Sequence, residues 1–235
     1  MGRVELPESP RELLEDECPP DGILAAIREH GASLVMEDVG SVLEWADVGI
    51  ELARRYGAIR LARMLAYRGS VFRMAGHYEE SESHFNEAFS VLSDQSPADK
   101  ADILRRMAWL RADQYRLDEA SDLADRAIDL SKRYGSKHQL GKALASAATV
   151  WYAKDEYDEA AHYFADSQQH LDYKASPSSY YAVSHNLAAA LVKAPNVKRF
   201  GSVFAALKAA RRNLPREPRQ LEPSLNGLKD CSTCD

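Results

Sequence analysis

A chain of 235 residues, 45% hydrophobic and 28% charged, can bury a core; it is long for one compact domain and normal for a helical array. Its net charge of −6 excludes a general nucleic-acid binder, which needs a basic surface to neutralise phosphates. No stretch approaches the roughly 20 apolar residues of a membrane span, the start Met1-Gly2-Arg3-Val4-Glu5-Leu6-Pro7 has no signal-like apolar run, and three sparse cysteines (Cys18, Cys231, Cys234) make no disulfide framework, so a soluble cytoplasmic protein is expected.

In chain order, residues 1–20 are rich in Pro, Glu and Asp and are expected to form a flexible N-terminal segment. Residues 21–56 then read as a first helical unit. Its later part, Trp45-Ala46-Asp47-Val48-Gly49-Ile50-Glu51-Leu52-Ala53-Arg54-Arg55-Tyr56-Gly57, returns two units on as Leu123-Ala124-Asp125-Arg126-Ala127-Ile128-Asp129-Leu130-Ser131-Lys132-Arg133-Tyr134-Gly135. Halfway between lies Tyr78-Glu79-Glu80-Ser81, followed one unit later by Leu117-Asp118-Glu119-Ala120 and then by Tyr157-Asp158-Glu159-Ala160. One small-residue position thus recurs at Val42, Ser81, Ala120 and Ala160, with a degenerate copy at Phe200, at spacings of 39, 39, 40 and 40. A fixed period of this size marks a repeat architecture.

The small residues have a packing reason. Two antiparallel helices approach closely only where a small side chain meets a large one. Ala160 with Phe164, Gly69 with Phe72 and Ala148 with Trp151 supply such pairs. Gly57 and Gly135 follow basic last turns and read as helix-closing C′ glycines. Ser96-Pro97 and Ser176-Pro177 read as an N-cap with proline at the first helical position. No segment alternates with the period of a strand. Units two to four run to about residue 175, and a fifth spans roughly 178–214. From Pro215, three prolines in nine residues stop any helix, so 215–235 is expected to be a flexible tail behind a repeat domain over 21–214. The last helix, Arg199 to Leu214, exposes Phe204, Leu207 and Leu214. The tail folding back, a homodimer through this helix, or further chain in a longer parent would cover them.

The recurring second-helix pattern resembles that of tetratricopeptide repeats, with units longer than the usual length of about 34 residues. The resemblance implies an all-α, right-handed α-solenoid of about five antiparallel helix pairs. The stretch from Ala98 to Val192 also resembles bacterial regulators that join a helix-turn-helix to long tetratricopeptide units. The pieces that carry it are Arg111-Ala112-Asp113-Gln114-Tyr115-Arg116-Leu117-Asp118-Glu119-Ala120, Asp125-Arg126-Ala127-Ile128-Asp129-Leu130 and His185-Asn186-Leu187-Ala188-Ala189-Ala190-Leu191-Val192. The segment before the first unit is too short for a helix-turn-helix. The function implied is a non-catalytic scaffold that binds a peptide or helical partner. The alternatives are a regulatory or sensor module acting through a separate effector chain, and an enzyme subunit whose catalytic parts lie on another chain.

In such arrays the first helices of the units line a concave groove. Carried over unit by unit, the groove positions are Arg63 and Arg73, then Arg105, Arg106, Trp109 and Asp113, then Lys142 and Tyr152, then His185 and Asn186. Five of these ten are Arg or Lys in an acidic protein, so the expected partner is an acidic peptide or a C-terminal carboxylate held by charge-assisted hydrogen bonds. Trp109 and Tyr152 would add flat apolar contact. The competing expectation is that these cations pair with Asp and Glu on neighbouring helices.

No chemistry of another kind is indicated. His162, Asp166 and His170 share a helix face at i, i+4 and i+8, but on the polar side, so a solvated face is expected and no metal. Cys231-Ser232-Thr233-Cys234 lacks the second pair of a zinc site and the strand-helix setting of a redox motif. There is no glycine-rich phosphate loop and no GxSxG elbow. Neither a cofactor nor a catalytic residue is expected.

Overall fold

A computed structural model describes residues 6–7, 9–14, 20–34, 38–92, 96–173 and 176–194. Among them are nine α-helices: α1 (Pro20–Leu34), α2 (Val39–Arg54), α3 (Ala58–Met74), α4 (Tyr78–Ser90), α5 (Pro97–Asp113), α6 (Leu117–Tyr134), α7 (Lys137–Ala153), α8 (Tyr157–His170) and α9 (Pro177–Lys193). They pack as α1/α2, α3/α4, α5/α6 and α7/α8 pairs, and α9 lies on α8. A short 3-10 turn, Pro10–Leu14, packs on α2, with Leu13 buried and the Leu14 carbonyl accepting from Arg55 at 3.1 Å. Cys18, Phe200, the expected last helix with Phe204, Leu207 and Leu214, and the tail with Cys231 and Cys234 lie outside the described residues.

The repeat register places the core. Val42, Ser81, Ala120 and Ala160 are all fully buried, as are Ala88, Ala127 and Ser167 seven positions further along α4, α6 and α8. On the first helices, Gly69 lets α4 approach so closely that a Cβ there would lie 2.9 Å from the Phe85 ring and 3.2 Å from the Ser81 carbonyl. Large side chains fill between these rows: Phe85, Phe164, Leu65, Met64 and Leu110 are all buried. Each such side chain removed from water contributes about 1.5–3 kcal/mol. Three adjoining apolar clusters run from Leu13 to Leu191.

The turns repeat as well. Gly76, Tyr115 and Asp155 close α3, α5 and α7 with φ of 81°, 59° and 62°. They fall at the unit spacing, so the same left-handed turn recurs in three units with glycine in only one. Gly57 also has positive φ, 105°, before α3. Gly135 does not: its φ and ψ of −89° and 166° are extended. It serves by size, since a Cβ would lie 2.7 Å from the Ser131 carbonyl that accepts its N–H. Ser96 and Ser176 stand at the expected N-cap positions before prolines, but neither side chain bonds the helix N-terminus. A capping box forms instead on α7, where Ser136 and Gln139 exchange hydrogen bonds.

Consecutive first helices touch one another, α1 with α3, α3 with α5 and α5 with α7. Among the described residues no comparable contact joins the second helices. The layer in which like helices touch is the inner one of a curved array. The residues of interest therefore lie on α1, α3, α5 and α7.

Candidate functional site

Two positions of the repeat, four residues apart and so on one helix face, build the middle of the inner layer. The first carries Arg63, Asp102 and Lys142, spaced 39 and 40. The second carries Arg28, Tyr67 and Arg106, spaced 39 and 39. Sequence reasoning finds Arg63, Lys142 and Arg106 but misses Arg28, Tyr67 and Asp102. The register alone would have found them, because Tyr67 and Asp102 lie one unit, and Arg28 two units, from a residue already chosen.

Asp102 is the hub. It accepts from Arg105 Nε at 2.8 Å and from Arg106 Nε at 2.8 Å, and Arg106 also donates to the Ser70 hydroxyl at 2.7 Å. Burial alone would raise the Asp102 pKa; Arg105 and Arg106 override it and hold the carboxyl far below the usual range. Arg105 is itself buried, and that burial pulls its pKa down against the support of Asp102.

Arg28 and Lys142 flank this hub from α1 and α7. Neither makes an ion pair or a side-chain hydrogen bond among the described residues. Burial lowers the pKa of both; Arg106 and Arg63 push Arg28 further down, and Arg105, Arg106 and Arg28 do the same to Lys142, while Asp102 acts against this on both. Tyr67 lies between, its hydroxyl buried without a hydrogen-bond partner and aimed at the backbone of Gly31. Burial pushes its pKa up to about 12, with Arg28 acting the other way. On the Lys142 side, burial followed by Lys142 and Arg105 keeps His138 below its ordinary value. Arg28, Arg105, Arg106 and Lys142 thus outnumber Asp102 by three charges.

The remaining candidates sit elsewhere. Arg63 pairs with Asp99 at 2.8 Å. Arg73 pairs with Asp113 across α3 and α5. Trp109 lies between two guanidiniums, with Arg73 5.6 Å and Arg105 5.2 Å from its ring centre, and its indole N–H is buried without a hydrogen-bond partner. Tyr152 is further along the layer, where Lys193 of α9 lies 4.9 Å from its ring and 5.0 Å from that of Tyr157. His185 and Asn186 are exposed on α9 and meet each other at 3.5 Å. The structure thus groups Arg105, Arg106, Lys142 and Trp109, sets Arg63 beside them in an ion pair, and leaves Tyr152, His185 and Asn186 apart.

On α8, His170 faces Asp166 at 3.6 Å while His162 packs edge-on against Tyr163. Among the described residues no three His, Cys, Asp or Glu side chains gather as a metal would require, and no helix is long and apolar enough to cross a membrane.

No family model and no curated protein matches the chain. Solved structures do. The crystal structure of BtubC (BKLC) from P. vanneervenii superposes with a TM-score of 0.61 at 18% identity, over 79% of this chain and 76% of that one. The nearly identical TPR-like repeats of a Podosopora anserina protein assigned to the kinesin light chains give 0.53 at 12% identity, over 86% and 100%. A glutamine-to-methionine variant of those repeats gives 0.54 at 13%, over 80% and 94%. Identities this low speak for the fold alone, and the fold is that of a TPR-like helical-repeat solenoid.

Proposed function

We propose that this chain is a non-catalytic protein-interaction scaffold that takes an acidic peptide or helical segment along the α1, α3, α5 and α7 layer. The observation that carries the reading is the charge asymmetry: a protein of net charge −6 concentrates Arg28, Arg105, Arg106 and Lys142 on one inner face, and among the described residues Asp102 is the one carboxylate hydrogen-bonded within the group. Trp109 offers an edge for apolar contact beside that patch. TPR-like folds generally serve protein binding, which agrees with this reading. Four of the five cations expected in the groove (Arg63, Arg73, Arg105 and Arg106) have carboxylate partners within the chain. The attraction for a partner therefore rests on Lys142 and Arg28.

The test is fluorescence anisotropy with labelled peptides of equal length, one rich in Asp and Glu and one rich in Lys. The acidic peptide should bind at least tenfold more tightly, should weaken as salt rises from 50 to 300 mM, and should weaken again with Lys142→Glu. Equal affinity for both peptides would overturn the reading. Arg105→Glu is a poor probe, because it would bury a second carboxylate against Asp102.

A further inference from the structure

Four cations surround one carboxylate in the middle of the inner layer. Asp102 spends both its oxygens on Arg105 and Arg106. Asp102 supports the charge of both Arg28 and Lys142, and Asp21 acts on Arg28 as well, but among the described residues neither cation has a hydrogen-bonded carboxylate of its own, although both are half-buried. Crowding four partly buried cations around one carboxylate is unfavourable, and fold stability gives little reason to retain the two that do not bond it. A bound anion would. One negative charge would leave the cluster two charges positive; two would leave it one positive. Guanidinium forks present paired N–H donors that match the oxygens of phosphate, and Lys adds a point charge.

We propose that Arg28, Arg105, Arg106 and Lys142, gathered around Asp102 on α1, α5 and α7, form a binding site for a doubly charged oxyanion of the phosphate class. The oxyanion is either a free phosphate compound or a phosphorylated side chain of the partner. The proposal rests on the inner face being the binding surface, and it names the group that face recognises.

The experiment uses the full chain and inorganic phosphate as probe, with thermal unfolding and calorimetric titration against sodium chloride of equal ionic strength. Phosphate also stabilises proteins by exclusion from their surfaces, so variants decide the matter. Lys142→Gln and Arg28→Gln should lose at least tenfold in phosphate affinity while unfolding, without phosphate, at the wild-type temperature or above it. Arg133→Gln, on the exposed side of α6, should bind like wild type. Phosphate binding that is equal in all four proteins, or absent from wild type, would overturn the proposal. So would glutamines that lower the unfolding temperature, since the cations would then be serving the fold. A phosphoserine peptide competing tenfold better than free phosphate identifies a modified partner; equal competition identifies a small anion; both support the site. If phosphate binds and no acidic peptide does, the site stands and the scaffold reading fails. If acidic peptide binds equally well with Lys142→Gln and with phosphate present, the scaffold stands and the site fails.

Discussion

Ser81→Ala should make the protein more stable. Ser81 occupies the small-residue position of α4, where the next two units have Ala120 and Ala160, and it is fully buried. Its hydroxyl has no hydrogen-bond partner. A buried, unsatisfied hydroxyl costs about 1–3 kcal/mol. Replacing Ser by Ala inside a helix adds about 0.5 kcal/mol of favourable propensity. Against this stands the lost dispersion of one oxygen, about a few tenths of a kcal/mol. The net expectation is a gain of about 1–2 kcal/mol, or about 2–8 °C in Tm for a chain this size. Ser167 gives the matching control. It is equally buried on α8, but its hydroxyl donates to the Gly141 carbonyl of α7 at 2.7 Å. Ser167→Ala loses that bond, worth about 0.5–1.5 kcal/mol, and regains only the propensity. It should therefore be neutral or destabilising by up to about 1 kcal/mol. Urea unfolding with unchanged m measures both. A loss of stability in Ser81→Ala, or a Ser167→Ala gain equal to that of Ser81→Ala, would refute the reasoning.

Two other positions give tests of the same kind. Gly69→Ala places a Cβ 2.9 Å from the buried Phe85 ring and 3.2 Å from the Ser81 carbonyl; overpacking of about 1–3 kcal/mol outweighs the helix gain of about 1 kcal/mol, so a net loss of about 1 kcal/mol is expected, and thermal unfolding at or above the wild-type Tm would contradict it. His84 accepts from Arg68 at 2.9 Å and stacks on Phe72, and burial, then Arg68, lowers its pKa below 6.5. The unfolded ring takes up a proton more readily than the folded one, so stability is full above about pH 6.5 and falls as pH drops through that value. His84→Gln should flatten the fall in Tm between pH 7.5 and 5.5, with His138 supplying a residual slope of the same sign, and an unchanged slope would exclude His84 as the cause.

The fold was legible because its cause is periodic. Close helix packing needs a small residue at a fixed place in each unit, and Val42, Ser81, Ala120 and Ala160 announce it in the letters themselves. The turns were less legible: Tyr115 and Asp155 hold the left-handed conformation that Gly76 adopts freely, and the register, not residue type, would have revealed them. Gly135 misled in the other direction, since its glycine answers a steric need at Ser131 and not a positive φ. The candidate site was half legible. Selecting only attractive residue types picked Arg63 and Lys142 and passed over Asp102, which occupies the same repeat position and sets the electrostatics of Arg105 and Arg106. Ion pairs such as Arg63 with Asp99 depend on which side chains meet across helices, and the repeat period does not specify that.

Those cross-helix contacts make a pattern of their own. Arg60 with Asp21, Arg63 with Asp99, Arg73 with Asp113, Lys154 with Asp118, and Lys193 with the Tyr157 hydroxyl each span about one repeat length, so each ties one unit to the next. An array in which a unit touches only its neighbours gains its cohesion from such contacts and from the apolar seam beneath them. Exposed pairs of this kind are worth at most about 1 kcal/mol each, yet they recur at nearly every junction. Arg28 and Lys142 occupy the same layer and tie nothing among the described residues. Most inner cations bond a carboxylate of their own helix or of the neighbouring unit, whereas Arg28 and Lys142 only share the field of a carboxylate already bonded to Arg105 and Arg106, which is why the proposed site is centred on them.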